Sequence, residues 1–126
     1  MKKVWIVDDD QEMIDAMRLM LEMLDFQVTS FLNARIAAKT ILDGNRPDLL
    51  MLDINMPDVS GLDLLEFLRR RPEGKDLPIV MLSTEAADVT VDKALELGAN
   101  SYAMKPVTIE ELKRAIDTAL QQPQKE

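Results

Sequence analysis

The 126-residue sequence contains no cysteine and no histidine. The first absence excludes disulfides, thiolate metal sites and cysteine nucleophiles. The second removes the commonest general base, the usual zinc ligand and any phosphohistidine formed on this chain. Aromatic residues make up only 4% of the sequence, so Leu, Ile, Val, Ala and nine Met must do most of the packing. Positive charge is also scarce, with 15 Lys and Arg against 23 Asp and Glu and a net charge of −8. A surface of that sign repels phosphate backbones, so direct nucleic-acid binding is not expected. No apolar run approaches the length of a membrane span. Val4-Trp5-Ile6-Val7 runs straight into Asp8-Asp9-Asp10, which is no signal-peptide pattern. A cytoplasmic protein with no membrane segment is the expectation.

What is present is ample apolar material, 47% of the chain. A single domain of this size buries roughly two-thirds of its unfolded surface. Short apolar runs alternate with longer stretches of helical periodicity. Val4–Val7, Val28–Phe31, Leu49–Leu52, Ile79–Leu82 and Tyr102–Met104 are candidate strands. Four are near-continuous apolar runs, as in a sheet buried on both faces, while the mixed Val28–Phe31 reads as an edge. Glu12–Leu24, a segment capped by Asn33 and ending near Asp43-Gly44, Gly61–Arg70, Ala86–Leu97 and Thr108 to about Leu120 are candidate helices. Strands alternating with helices imply right-handed crossovers and an α/β fold, a parallel sheet with helices on both faces.

In such sheets ligands bind beyond the carboxyl ends of the strands. The first strand ends in Asp8-Asp9-Asp10, the third in Asp53, the fourth in Ser83-Thr84 and the fifth in Lys105-Pro106. Clustered carboxylates without histidine suit a hard, oxygen-seeking ion such as Mg²⁺. The ion offsets carboxylate repulsion and neutralises charge on an incoming phosphoryl group. A carboxylate held there serves as a nucleophile that forms an acyl phosphate, with Ser83 and Lys105 holding the transferred oxygens.

From Val4 to about Leu120 the chain resembles the receiver domain of two-component response regulators. The matching stretches are Val-Asp-Asp-Asp (7–10), Leu-Asp-Ile-Asn-Met-Pro-Asp-Val-Ser-Gly (52–61), Leu-Ser-Thr (82–84), Gly-Ala-Asn-Ser-Tyr (98–102) and Lys-Pro (105–106). The resemblance implies a doubly wound, flavodoxin-like five-stranded sheet of order 2-1-3-4-5 with five flanking helices. It makes residues 1–120 a receiver domain and residues 121–126 a polar tail. Asp53 is then the phospho-acceptor, served by Ser83 and Lys105. Asp9 is the direct metal ligand, Asp8 its water-mediated companion, and Asp53 and the Asn55 backbone carbonyl complete a site for Mg²⁺, or Mn²⁺ in its place. Ser83 and Tyr102 form the switch, Asn55 and Glu85 tune dephosphorylation, and a cis bond joins Lys105 to Pro106. The implied partners are a sensor histidine kinase or phosphotransfer protein and a downstream target on the face of the fourth helix, fifth strand and fifth helix. The implied state is a monomer or a phosphorylation-dependent dimer that catalyses only its own phosphorylation and dephosphorylation. Asn100-Ser101 departs from the acidic pair that many DNA-binding members carry before the tyrosine, which weakens the case for a salt-bridged dimer.

Other readings compete at several residues. Asp10 is better read as a helix N-cap than as a metal ligand. Met13, Met17, Met20 and Met23 are expected to fill core. Arg69-Arg70-Arg71 reads as a solvated run at a helix C-terminus. Tyr102 also fits a half-buried strand aromatic. Lys105 has no such alternative, because a lysine ending a buried strand needs a carboxylate. Two enzyme classes fit poorly. Phosphatases with an aspartyl nucleophile need an acid two residues on, where Asn55 stands, and related metal-dependent nucleases need a glutamate that the first strand lacks.

Overall fold

In the computed structural model, which describes residues 1–84 and 88–121, the apolar runs form strands and the periodic stretches form helices. The order is β1 (Lys3–Val7), α1 (Gln11–Met23), β2 (Gln27–Phe31), α2 (Ala34–Leu42), β3 (Leu49–Asp53), α3 (Gly61–Arg69), β4 (Ile79–Ser83), α4 (Asp88–Glu96), β5 (Ser101–Met104) and α5 (Ile109–Gln121). All neighbouring strands are parallel, in the order β2-β1-β3-β4-β5. This is the expected doubly wound sheet. The expected start of the fourth helix, at Ala86, lies outside the described residues.

Every residue of β3 and β4 is buried, because each has a strand on either side and helices on both faces. Alternate residues feed opposite layers. Trp5, Val7, Leu52 and Met81 pack with Ala37 and Ile41 of α2 and Leu64 and Leu68 of α3. Val4, Ile6, Met51 and Leu82 pack with Ile14, Met17 and Leu21 of α1 and Leu112 and Ile116 of α5. Each such side chain stabilises the fold by about 1.5–3 kcal/mol through burial alone. β5 departs from the expectation of burial on both faces. With no strand beyond it, it alternates, Ser101 and Ala103 inward and Tyr102 outward.

Local chemistry sets the element ends. Asp10 caps α1 by accepting from the N–H groups of Glu12 and Met13, as expected. Asn33 accepts from Ile36 at the start of α2, and Thr108 and Glu111 form the reciprocal box before α5. Gly98, at φ +109°, follows α4 in the left-handed turn that glycine adopts without strain. The peptide bond between Lys105 and Pro106 is cis.

Two expectations about surface and core need correction. Met17 is fully buried and Met13 and Met20 partly so, but Met23 is 67% exposed, although its neighbour Leu24 still packs on the core. Arg69 does not belong to a solvated run. Its Nε donates to Gly98 O (2.9 Å), its Nη1 to Gly74 O (2.6 Å) and its Nη2 to Asn100 Oδ1 (2.8 Å). Asn100 Oδ1 also accepts from Ile79 N–H at 2.8 Å. One guanidinium thus ties the end of α3 to the loops that lead into β4 and β5. Arg70 and Arg71 remain on the surface, paired with Glu66 and Glu73.

Candidate functional site

The three central strand ends and the end of β5 converge on one acidic cluster. Asp8 prolongs β1: its N–H donates to Phe31 O at 3.1 Å, and its side chain is fully buried. Asp8 Oδ1 accepts from Asp10 N–H at 3.0 Å, and Asp8 Oδ2 accepts from Lys105 Nζ at 2.7 Å. Lys105 prolongs β5, its N–H donating to Ser83 O at 2.8 Å, and its ammonium lies 3.3 Å from Asp53 Oδ1. Asp53 ends β3 and is 4% exposed. Its Oδ1 also accepts from Asn55 N–H at 3.3 Å. Asp9 is exposed and completes the cluster, in which one carboxylate oxygen from each of Asp8, Asp9 and Asp53 lies within 4.8 Å of the others.

Like charges this close raise one another's proton affinity. The Asp53 carboxyl is pushed up to about 6, first by burial and then by Asp8, with Lys105 pulling the other way. Burial works to lower the Lys105 pKa, yet hydrogen bonding and attraction to Asp8, then to Asp53, raise it. The lysine is a fixed cation compensating part of the cluster. Three carboxylate oxygens with no nitrogen or sulfur donor form a hard donor set that could hold a divalent ion of the Mg²⁺ type.

Gly61 opens α3 directly beneath this site. A Cβ there would fall 2.1 Å from the Asp53 carbonyl oxygen, so the close return of the chain onto Asp53 requires glycine.

The sequence-predicted residues separate into those at the cluster and those away from it. Asp8, Asp9, Asp53 and Lys105 come together, and Asn55 bonds to Asp53 through its own N–H. Ser83 is buried at the end of β4, one residue past Leu82, the cross-strand neighbour of Asp53. Tyr102 is not at the cluster. It lies on the outer side of β5, 43% exposed, in a cavity lined also by Leu95, Glu111 and Arg114. Glu85 falls outside the described residues. Asp10 faces away from the cluster, as the cap of α1. Sequence reading missed the ion pair between Arg35 and Asp58, residues 23 apart with no local pattern to link them.

The family model of the response regulator receiver domain matches residues 4–117. The chain belongs to that family. The phosphate regulon transcriptional regulatory protein PhoB of Rhizobium meliloti (strain 1021) is 34% identical over 124 residues, 98% of this chain and 54% of that protein. Protein RcaC of Microchaete diplosiphon is 35% identical over 94% of this chain, which spans 18% of its length. The chain is thus about half the length of one of these relatives and under a fifth of the other. Among solved structures, the Vibrio cholerae chemotaxis protein CheY4 superposes with a TM-score of 0.87 at 27% identity, covering 95% of this chain and 99% of that one. The chain is thus a receiver domain of two-component response regulators, a family whose function is phosphorylation on an aspartate by a histidine kinase. No helix among the described residues is long and apolar enough to cross a membrane.

Proposed function

We propose that Asp53 is the phospho-acceptor and that Asp8, Asp9, Asp53 and the Asn55 carbonyl hold Mg²⁺. The observation that carries this reading is the placement of Asp53: a strand-end carboxylate, nearly buried, within 4.8 Å of two further acids and 3.3 Å from an ammonium. Bound there, Mg²⁺ supplies charge neutralisation for the carboxylates and the incoming phosphoryl oxygens. An unprotonated Asp53 oxygen forms a bond to phosphorus as the P–N bond of the donor phosphohistidine breaks, and the leaving imidazole takes up a proton. Lys105 Nζ bonds a phosphoryl oxygen, and Ser83 donates its hydroxyl to another. Water later attacks phosphorus, which releases inorganic phosphate and returns Asp53 to the carboxylate, at a rate that Asn55 and Glu85 tune.

Residues 1–120 act as a cytoplasmic switch whose only catalysis is on its own acyl phosphate. Its output leaves through α4, β5 and α5, with Ser83 and Tyr102 coupling site to surface. Asn100 and Ser101 support a monomer over a salt-bridged dimer. Asn100 bonds inward to Arg69 and Ile79, and Ser101 Oγ donates to Ala115 O at 2.6 Å. The excess of acidic residues supports a protein partner over nucleic acid.

Intact-mass measurement after treatment with acetyl phosphate tests the assignment. The wild type should gain one phosphoryl mass with Mg²⁺ and none with EDTA, and Asp53→Ala should gain none. Full phosphorylation of Asp53→Ala would overturn it.

A further inference from the structure

The segment between β3 and α3 carries Asn55, and little of its own backbone holds it. Ile54 N–H donates to Leu82 O at 2.9 Å and Gly61 N–H to Ile54 O at 3.1 Å, which closes the base. Ile54 and Met56 bury their side chains in the layer of α2 and α3. From Met56 to Val59 no backbone hydrogen bond forms among the described residues. Within that stretch Pro57 has no N–H to offer, and Asp58 sits at φ +69°, in the left-handed region that residues with a Cβ seldom adopt.

At that strained residue the loop meets α2. Arg35 Nε donates to Asp58 Oδ2 at 2.6 Å and Nη2 donates to Oδ1 at 3.2 Å, a two-pronged pair of the geometry that guanidinium and carboxylate share. Among the described residues, Arg35 is the one side chain from a helix other than α3 that bonds to this loop. The helix that carries it is anchored, with Ala34 and Ala37 buried and Asn33 capping its first turn. The pair is itself exposed, 69% at Arg35 and 66% at Asp58, so it adds little to overall stability. A weak contribution to folding, at the tip of the loop that follows the acceptor, points to a role in geometry.

We propose that Arg35 is a positioning residue for phosphoryl transfer: it clamps Asp58 in the left-handed turn and so fixes the loop that presents Asn55 to the metal site. The inference rests on the metal and acceptor assignments above. Losing the clamp loosens the loop and weakens the ion, while the reacting groups Asp53, Ser83 and Lys105 stay where their strands put them. The defect therefore lies in metal half-saturation and not in the maximal rate.

The test is NMR titration of the full chain with Mg²⁺, joined to acetyl phosphate phosphorylation followed by intact mass across Mg²⁺ concentrations. Arg35→Ala should weaken Mg²⁺ binding about two- to fivefold, the range an exposed pair supports. Saturating Mg²⁺ should restore the wild-type maximal rate. Asp58→Asn, which tolerates the left-handed turn but loses the charge, should reproduce the effect, and Arg35→Ala added to it should change little further. Arg35→Lys, with one prong, should fall between wild type and Arg35→Ala. Unchanged Mg²⁺ affinity in Arg35→Ala, or an equal further loss in the Asp58→Asn background, overturns the clamp. A wild type that binds no Mg²⁺ or takes no phosphoryl group at Asp53 overturns the acceptor reading and the clamp together, and that failure is visible without any Arg35 variant.

Discussion

Lys105 Nζ stands 2.7 Å from Asp8 Oδ2, closer than the 3.3 Å that separates it from Asp53 Oδ1. The lysine is held more closely by Asp8, just past the first strand, than by Asp53. Lys105→Met leaves two buried carboxylates with no cation and should cost about 3 kcal/mol without metal. Phosphorylation should persist, while the beryllofluoride-induced NMR shifts around Tyr102 disappear. A wild-type urea midpoint in EDTA, or a wild-type shift pattern, would count against these roles.

Asp53 carries the opposite imbalance. Burial, and then Asp8, raise its carboxyl from 3.8 to about 6. The folded state therefore binds this proton more tightly than the unfolded chain. Its contribution to stability is present below about pH 4 and is lost as pH rises through about 6. Asp53→Asn removes that loss, and in EDTA at pH 7.5 the variant should exceed the wild type by about 1 kcal/mol, with the difference vanishing near pH 4. Excess Mg²⁺ should stabilise the wild type more than the variant. Urea midpoints decide it: a variant less stable than wild type in EDTA at pH 7.5 shows that the acids do not strain one another.

The same proton bears on the reaction proposed for Asp53. Only the unprotonated carboxylate attacks phosphorus, so phosphorylation by acetyl phosphate at low Mg²⁺ should fall off below about pH 6. Metal and proton compete for the oxygens, and raising Mg²⁺ should move that limb to lower pH. A limb that stays fixed across Mg²⁺ concentrations separates the ion from Asp53.

Asn55 follows Asp53, the proposed acceptor, by two residues and bonds to it through its N–H. Asn55→Lys places an ammonium beside the phosphoryl group and should slow its loss several-fold by crowding the attacking water. Decay of the phosphorylated mass after donor removal measures this, and an unchanged half-life removes Asn55 from the hydrolytic step.

Arg69 should be intolerant of replacement. Arg69→Ala strips bonds from the Gly74 and Gly98 carbonyls and from Asn100. The expected cost is about 2–3 kcal/mol, and Arg69→Lys should recover little because an ammonium cannot span three directions. Denaturant midpoints near wild type for either variant would return Arg69 to the surface.

The fold was legible because its signals are local. Apolar runs of strand length, the caps at Asp10, Asn33 and Thr108, and Gly98 each act within a few residues. The acidic cluster was legible because chemistry-bearing residues stand at strand ends, where the sheet aligns them. Lys105 apart, long side chains that act across the chain were not legible. Arg69 sits among three arginines of identical appearance, and nothing nearby shows that it alone turns inward to Gly98 and Asn100. Arg35 and Asp58 are likewise two ordinary surface residues until α2 and the loop before α3 are set side by side. The expected order already put β5 at an edge, and a half-buried Tyr102 was among the readings, but the short apolar run Tyr102–Met104 does not itself show which residues face outward.

The alternation that feeds the two core layers also governs how these strands tolerate changes in length. Ile6 and Met51 pack toward α1 and α5, and Asp8 and Asp53 stand two residues beyond them. Ala103 packs in that same layer, and Lys105 stands two residues beyond it. The pleat therefore delivers both acids and the ammonium to one side of the sheet. Many substitutions of apolar for apolar within β1, β3 or β5 preserve that arrangement. Insertion or deletion of a single residue does not, because every later side chain in the strand changes faces. Conservative drift in these strands is therefore compatible with the site, whereas a one-codon gap turns a carboxylate or its counter-ion to the opposite layer.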